Sequence, residues 1–207
     1  MYDDRFYDVI RPGCQASAEA VAPIVDAYAG PFRSVVDIGC GEGWWASAFA
    51  DRGATVAVGY DSGTRPDPAP IDHRHLDLSS EFPAAADTYD LAICLEVAEH
   101  LPAPLADDLV ASLCALAPVV LFSAAMPRQG GTGHVNCQPP AYWAERFATL
   151  GFDCHDVIRR TIWTHPTVEP WYKSNILIFA DPEAVQLPAP TGEPLHFIHP
   201  DLWLDPP

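Results

Sequence analysis

The chain has 207 residues, enough for one sizeable core, and its 49% hydrophobic and 19% charged residues are a globular rather than a disordered composition. Its net charge is −17, ten of its eleven basic residues are arginine, and Arg159-Arg160 is the only basic doublet, so no nucleic-acid partner is expected. No apolar run is long enough to span a membrane, and the acidic N-terminus lacks the basic start of a secretion signal. Cysteines 14, 40, 94, 114, 137 and 154 show no paired spacing, which disfavours metal ribbons and redox motifs. These features lead to the expectation of a cytoplasmic protein with reduced thiols and a small-molecule partner.

Along the chain, Ala18, Val21, Ile24, Val25 and Tyr28 recur at helical spacing over 14–29, and Gly30-Pro31 ends that helix. The apolar run Ser34–Ile38 predicts a buried parallel strand, and Trp44–Asp51 a helix closed by Gly53. A second strand is expected over Thr55–Tyr60, ending at Asp61, followed by a Pro/Gly-rich loop from Ser62 to Pro70. His75–Leu78 and Asp90–Leu95 read as strands, Ala103–Leu116 as a helix, and Val119–Phe122 as a fifth strand. The loop Ala125–Gln138, with Gly130, Gly131 and Gly133, is too long for a plain connection and marks a candidate functional loop.

Pro139-Pro140 fits the first turn of a helix running to Leu150 and stopped by Gly151. Two last strands are expected over Cys154–Trp163 and Ser174–Ala180. The intervening Thr164–Lys173 shows no helical pattern, which favours an antiparallel pair. The whole predicts an α/β fold: a doubly wound, seven-stranded, mostly parallel sheet with an antiparallel last strand and helices on both faces. Residues 1–32 form an N-terminal helix or lid segment, 33–180 the principal domain, and 181–207, with seven prolines, an irregular tail.

The strongest local signal is Val35-Val-Asp-Ile-Gly-Cys-Gly-Glu-Gly43, glycines that let the backbone turn at a strand end and approach a ligand. A dinucleotide fingerprint would place its third glycine at position 44, which is tryptophan, so NAD is disfavoured. Val35–Gly43 instead resembles the first motif of class I methyltransferases that use S-adenosylmethionine (SAM), and the likeness extends over roughly 32–180. The resemblance implies SAM as cofactor and a pocket including Asp37, Gly39, Cys40, Gly41 and Gly43. Asp61 would meet the ribose hydroxyls and Asp77 the adenine amine. Leu95-Glu-Val-Ala-Glu-His-Leu101 is similar to the family's motif after strand four, implying that Leu95 and Glu96 line the methionine end.

For the methyl acceptor, His134 in the glycine-rich loop is the candidate catalytic base, because imidazole titrates near neutral pH. His100, Asn136 and Tyr172 are candidate substrate-binding residues, and Trp171 is a further candidate for the acceptor pocket. Trp44 and Trp45 read as helix packing. His73 and His75 could share one side of a strand, but no third ligand has diagnostic spacing, so no metal site is expected. Tyr2, Phe6 and Tyr7 are candidates for a lid. The expected function is O-methylation of a small molecule, such as a secondary metabolite or a sugar or glycolipid precursor. N-methylation of a small amine and SAM binding without turnover are the alternatives, and a homodimer is left open.

Overall fold

A computed structural model of the chain describes residues 4–63, 71–83 and 87–202, with the backbone alone over 4–10. The strands are β1 (Ser34–Ile38), β2 (Val56–Asp61), β3 (Asp72–His75), β4 (Leu91–Leu95), β5 (Val119–Ser123), β6 (Asp153–His155) and β7 (Leu177–Ala180). They form one seven-stranded sheet in the order β3-β2-β1-β4-β5-β7-β6. Strands β1 to β5 pair in parallel, and β7 runs antiparallel to both β5 and β6. The fold class is therefore the one the sequence pattern predicts. Strand order reverses between β1 and β4, and the loops leaving their carboxyl ends flank a crevice of the kind that holds ligands in such sheets.

Four helices cover one face: α1 (Asp4–Ala29), α2 (Trp44–Ala50), α5 (Ile158–Ile162) and α6 (Pro170–Asn175). The other face is covered by α3 (Ala106–Leu116) and α4 (Pro140–Thr149). Side chains alternate across a strand, so each core takes every second residue. Val35, Leu91, Ile93 and Leu121 join Val21, Val25, Phe49 and Ile162 on the first face. Val36, Ala92, Cys94, Val120 and Phe122 join Leu109, Leu113 and Phe147 on the second. There Phe147 stacks on Phe179 at 3.9 Å between ring centroids, with the Phe122 ring tilted against both. Burial on both faces is why β4 and β5 read as unbroken apolar runs.

The structure departs from the sequence expectations at four elements. Helix α1 starts at Asp4, because its first half carries few of the apolar positions that mark the rest. The third strand lies at Asp72–His75, ahead of the expected His75–Leu78; as an edge strand its polar residues escape the apolar signal, while Leu78 is buried in the turn that follows. Cys154–Trp163 is not one strand: β6 ends at His155 and α5 begins at Ile158, with Ile158 and Ile162 buried at helical spacing. The expected closing strand from Ser174 begins only at Leu177, after α6, whose first turn starts at Pro170. In both places β-branched and aromatic residues suggested strand, and burial of one helical face decided otherwise.

The six cysteines are free. Among the described residues no helix is long and apolar enough to cross a membrane. Tyr2 lies outside the described residues, and Phe6 and Tyr7 are described only as helical backbone.

Arg159, half of the basic doublet, is fully buried and faces no solvent. Its guanidinium pairs with Asp156, donates to the carbonyls of Ser174 (2.8 Å) and Leu195 (2.9 Å), and lies 4.1 Å over the Phe197 ring. One cation thus ties α5 to the end of α6 and to the segment after β7. Removing one partner of a buried pair leaves the other charge uncompensated, at a cost of about 3–5 kcal/mol. Arg159→Ala should therefore lower the melting temperature by roughly 2–4 °C per kcal/mol lost. It should also expose the 187–197 stretch to limited proteolysis; an unchanged melting curve and digest would show that Arg159 holds neither.

Candidate functional site

The glycine segment leaves β1 at Gly39, whose φ of +76° belongs to the left-handed region that glycine adopts without penalty. A Cβ there would lie 2.4 Å from Cγ2 of Val97, so the two strand-end loops can approach each other only across a glycine. Gly39 N and Cys40 N both donate to the Tyr60 carbonyl (2.8 and 3.1 Å), binding the turn to β2. Asp61 completes the lock: its carboxylate accepts from Gly41 N (2.9 Å) and Gly63 N (2.6 Å). From the other side, Arg11 of α1 makes a two-pronged bond to Glu42 (2.7 Å), and Trp44 Nε1 donates to the same carboxylate (3.2 Å).

Over this segment opens a cavity of about 720 Å³, lined by the ends of β1, β2 and β4 and by the loop after β5. Its floor holds Asp37, only 3% exposed, with Oδ2 lacking any hydrogen-bond partner. Burial, and then the neighbouring Asp61 charge, push the Asp37 carboxyl up to about 8. At the far wall Glu96 follows β4 with φ +56°, an uncommon conformation for a residue with a side chain. Its backbone N–H donates to the Ser123 carbonyl and hydroxyl (3.0 and 3.1 Å), and its carboxylate accepts from Asn175 Nδ2 (3.0 Å). Glu99, in a short 3-10 turn over Ala98–His100, is fully buried, and neither carboxylate oxygen has a donor. Burial raises both glutamates, and for Glu99 the adjacent Glu96 charge adds to the effect.

The same turn presents His100, whose ring meets that of His134 edge to face at 4.9 Å. His134 arrives on the loop after β5, which is fixed to the turn by Val135 N and Asn136 N donating to the Glu99 carbonyl (2.8 and 3.0 Å). Burial lowers both imidazoles below their ordinary value, holding them neutral near pH 7. These neutral rings and the two acids form a compact polar cluster on the cavity wall.

Of the predicted cofactor residues, Asp37, Gly39, Cys40, Gly41, Asp61, Asp77, Leu95 and Glu96 line this cavity. Gly43 does not; with φ +87° it caps α2 and turns the chain away. Asp77 is exposed at the rim, held by bonds from Ser79 N (2.9 Å) and Oγ (2.7 Å) that depress its carboxyl below the usual range. His100, His134, Trp171 and Tyr172 also line the cavity, but the Tyr172 hydroxyl is engaged by Trp45 Nε1 (3.2 Å) inside the protein. Asn136 stays outside the lining: it is buried, takes a bond from Gln138 Nε2 (2.9 Å), and fastens the His134 loop to Glu99. Trp44 and Trp45, read as packing, also reach the wall. His73 is buried with Nε2 on the Gly41 carbonyl (3.0 Å), and His75 lies apart at the rim, so the two do not act as a metal pair.

Sequence reasoning missed Arg11, Glu42 and Glu99. Glu99 stands inside a motif that was singled out, yet nothing in a linear sequence reports that a carboxylate lacks a donor. Arg11 meets Glu42 across 31 positions, beyond the reach of any spacing rule.

The chain's methyltransferase-domain family match covers residues 15–124. A ubiquinone biosynthesis O-methyltransferase of Stutzerimonas stutzeri is 31% identical over 132 residues, covering 58% of this chain and 50% of that protein. The chain thus spans about half the length of this curated relative. Magnesium protoporphyrin IX methyltransferase of Synechocystis, solved with SAH bound, shares the fold at TM-score 0.60 and 22% identity, over 87% of this chain and 88% of that one. A SAM-bound amino pentose methyltransferase of Micromonospora echinaspora overlays at TM-score 0.62 and 16% identity, over 87% and 98%. The chain belongs to the methyltransferase-domain family, among the class I enzymes that depend on SAM.

The residues present fit that cofactor. Its ammonium group is a cation suited to the unpartnered Asp37 oxygen, and the Gly39 crossing leaves the backbone bare beside it. Asp61→Ala removes both the loop lock and a charged partner for ribose hydroxyls. The charged bond alone is worth about 1.5–3 kcal/mol, so calorimetry should show SAM binding weakened by an order of magnitude or more. Unchanged affinity would place the ribose elsewhere.

Proposed function

We propose that this chain transfers a methyl group from SAM to a hydroxyl oxygen of a small molecule in the cytoplasm. The supporting observation is the Glu99, His100 and His134 cluster on the wall of the cavity that holds Asp37. SAM supplies a methyl on a sulfonium, and the carbon–sulfur bond electrons return to sulfur as the new bond forms. What the protein must do is align the acceptor and dispose of one proton. Asp37 and the Gly39 turn bind the methionine end, Asp61 and Asp77 the nucleoside end. Glu96, held by Asn175, sits between that floor and the imidazoles.

Alignment supplies most of the acceleration in such a displacement. An alcohol or phenol must also lose its proton, and an imidazole nitrogen of His134 is placed to accept it. Amines need no such group, so a neutral imidazole facing the cavity favours oxygen over nitrogen as the acceptor atom. The lining comes from one chain, so the reading needs no second copy. A charge of −17 and the burial of Arg159 also argue against a nucleic-acid acceptor.

His134→Ala should leave SAM affinity nearly intact and lower turnover on hydroxylated acceptors by about 10²–10⁴-fold, the usual worth of positioned proton transfer. The acceptor can be found by incubating the chain with labelled SAM and extracts of its source. A variant that methylates at the parent rate, or an isolated product carrying the label on nitrogen, would overturn the O-methyl reading. SAM binding with no labelled product from any extract would instead point to a binding protein without turnover.

A further inference from the structure

We infer that Glu99, His100 and His134 form a binding site for a divalent transition-metal cation, opening on the acceptor side of the cavity. This deepens the proposed O-methyl transfer; its catalytic half rests on that reading, whereas ion binding does not. One ligand atom from each residue lies within 4.8 Å of the others. Two imidazoles and one carboxylate on one side of an open cavity form a donor set that suits manganese, iron, cobalt or zinc.

The second observation is the state of Glu99. It is fully buried, both oxygens lack donors, and Glu96 stands beside it. Two adjacent carboxyls away from water need either a shared proton or a cation, and no lysine or arginine of the described residues is paired with Glu99. A divalent ion would satisfy the orphaned oxygens and relieve the repulsion together.

The surroundings are those of ligands held in place. His100 Nδ1 faces the Gly133 carbonyl at 3.3 Å, a bond that fixes the tautomer in which Nε2 carries the lone pair. His134 Nδ1 faces Cys137 Sγ at 3.5 Å. A Cβ on Gly131 would lie 2.1 Å from His134 Nε2, so the glycine makes room for the ring. Bonds from Val135 and Asn136 to the Glu99 carbonyl hold loop and turn in register. An acceptor hydroxyl bound to the ion would ionise there, its proton leaving to solvent. Its oxygen would then attack the methyl carbon, and the carbon–sulfur electron pair would stay on sulfur. The ion would thus do the work that His134 does alone as a base.

Manganese(II) is the appropriate probe, because the free thiols draw zinc and cobalt more strongly than manganese. Titration of the purified chain, followed by the electron paramagnetic resonance of free Mn²⁺, should show one saturable site per chain. Loss of even a supporting partner of a ligand costs about 10–100-fold in affinity, so Glu99→Gln and His134→Ala should each cost at least that. Calorimetry with SAM checks that both variants remain folded. Asp108→Asn, on an exposed helix position, should leave the site unchanged. No saturable site, or equal binding by the Glu99 and His134 variants, would overturn the inference and reveal only diffuse attraction to an acidic surface. A chain that holds Mn²⁺ at this site but methylates nitrogen would keep the ion and sink the O-methyl reading. Hydroxyl methylation without such a site would do the reverse.

Discussion

The organising constraint of this structure is that carboxyls are held out of water at the carboxyl edge of the sheet without a cation of the protein's own. Asp37 at the end of β1 and Glu99 beyond β4 each keep oxygens with no donor. Such burial works against the charged forms, and it is tolerated where a positively charged ligand repays it. The thermodynamic sign follows from Asp37. Its folded value lies above its ordinary one, so its contribution to stability is fully present below about pH 4 and is lost as pH rises through about 8. A ligand that brings an ammonium group to Asp37 removes that penalty, so fold and cofactor share one electrostatic account.

The rest of the architecture serves to keep those acids in place. Reversal of strand order between β1 and β4 brings the Gly39 turn against Val97, and a larger residue at 39 would drive the two loops apart. The Arg11–Glu42 pair draws α1 across the glycine segment. Asp61, implied by family resemblance to be a ribose ligand, also holds the loop through Gly41 and Gly63. One side chain therefore shapes the loop while facing the cavity. On the other side of the crevice, the loop after β5 is fastened to the Glu99 turn through backbone bonds, which places acceptor chemistry beside the cofactor floor.

Much of this was legible in the sequence, for physical reasons. Parallel strands buried on both faces leave unbroken apolar runs, and β1, β4 and β5 were found that way. The glycine segment announced itself because few residues other than glycine accept its backbone angles. The polar edge strand β3 and the short helices α5 and α6 were not legible, since their conformations are decided by what they pack against. The site divides in the same manner. The cofactor half follows a contiguous motif, whereas the acceptor half depends on His134 meeting Glu99 and His100 across a loop. The family match ends at residue 124, just before that loop begins. Asn136 and Gly43 were misplaced because being near a site in sequence does not fix which way a residue faces.

The most direct measurement is a carbon-13 NMR titration of the aspartate carboxyls, with Asp37 assigned through Asp37→Asn. In the free chain the Asp37 carboxyl should titrate near pH 8. With SAM bound it should fall toward the ordinary carboxylate range, since the ammonium group favours the charged form. An Asp37 that titrates like a surface aspartate in the free chain, or one that SAM leaves unmoved, would contradict the account.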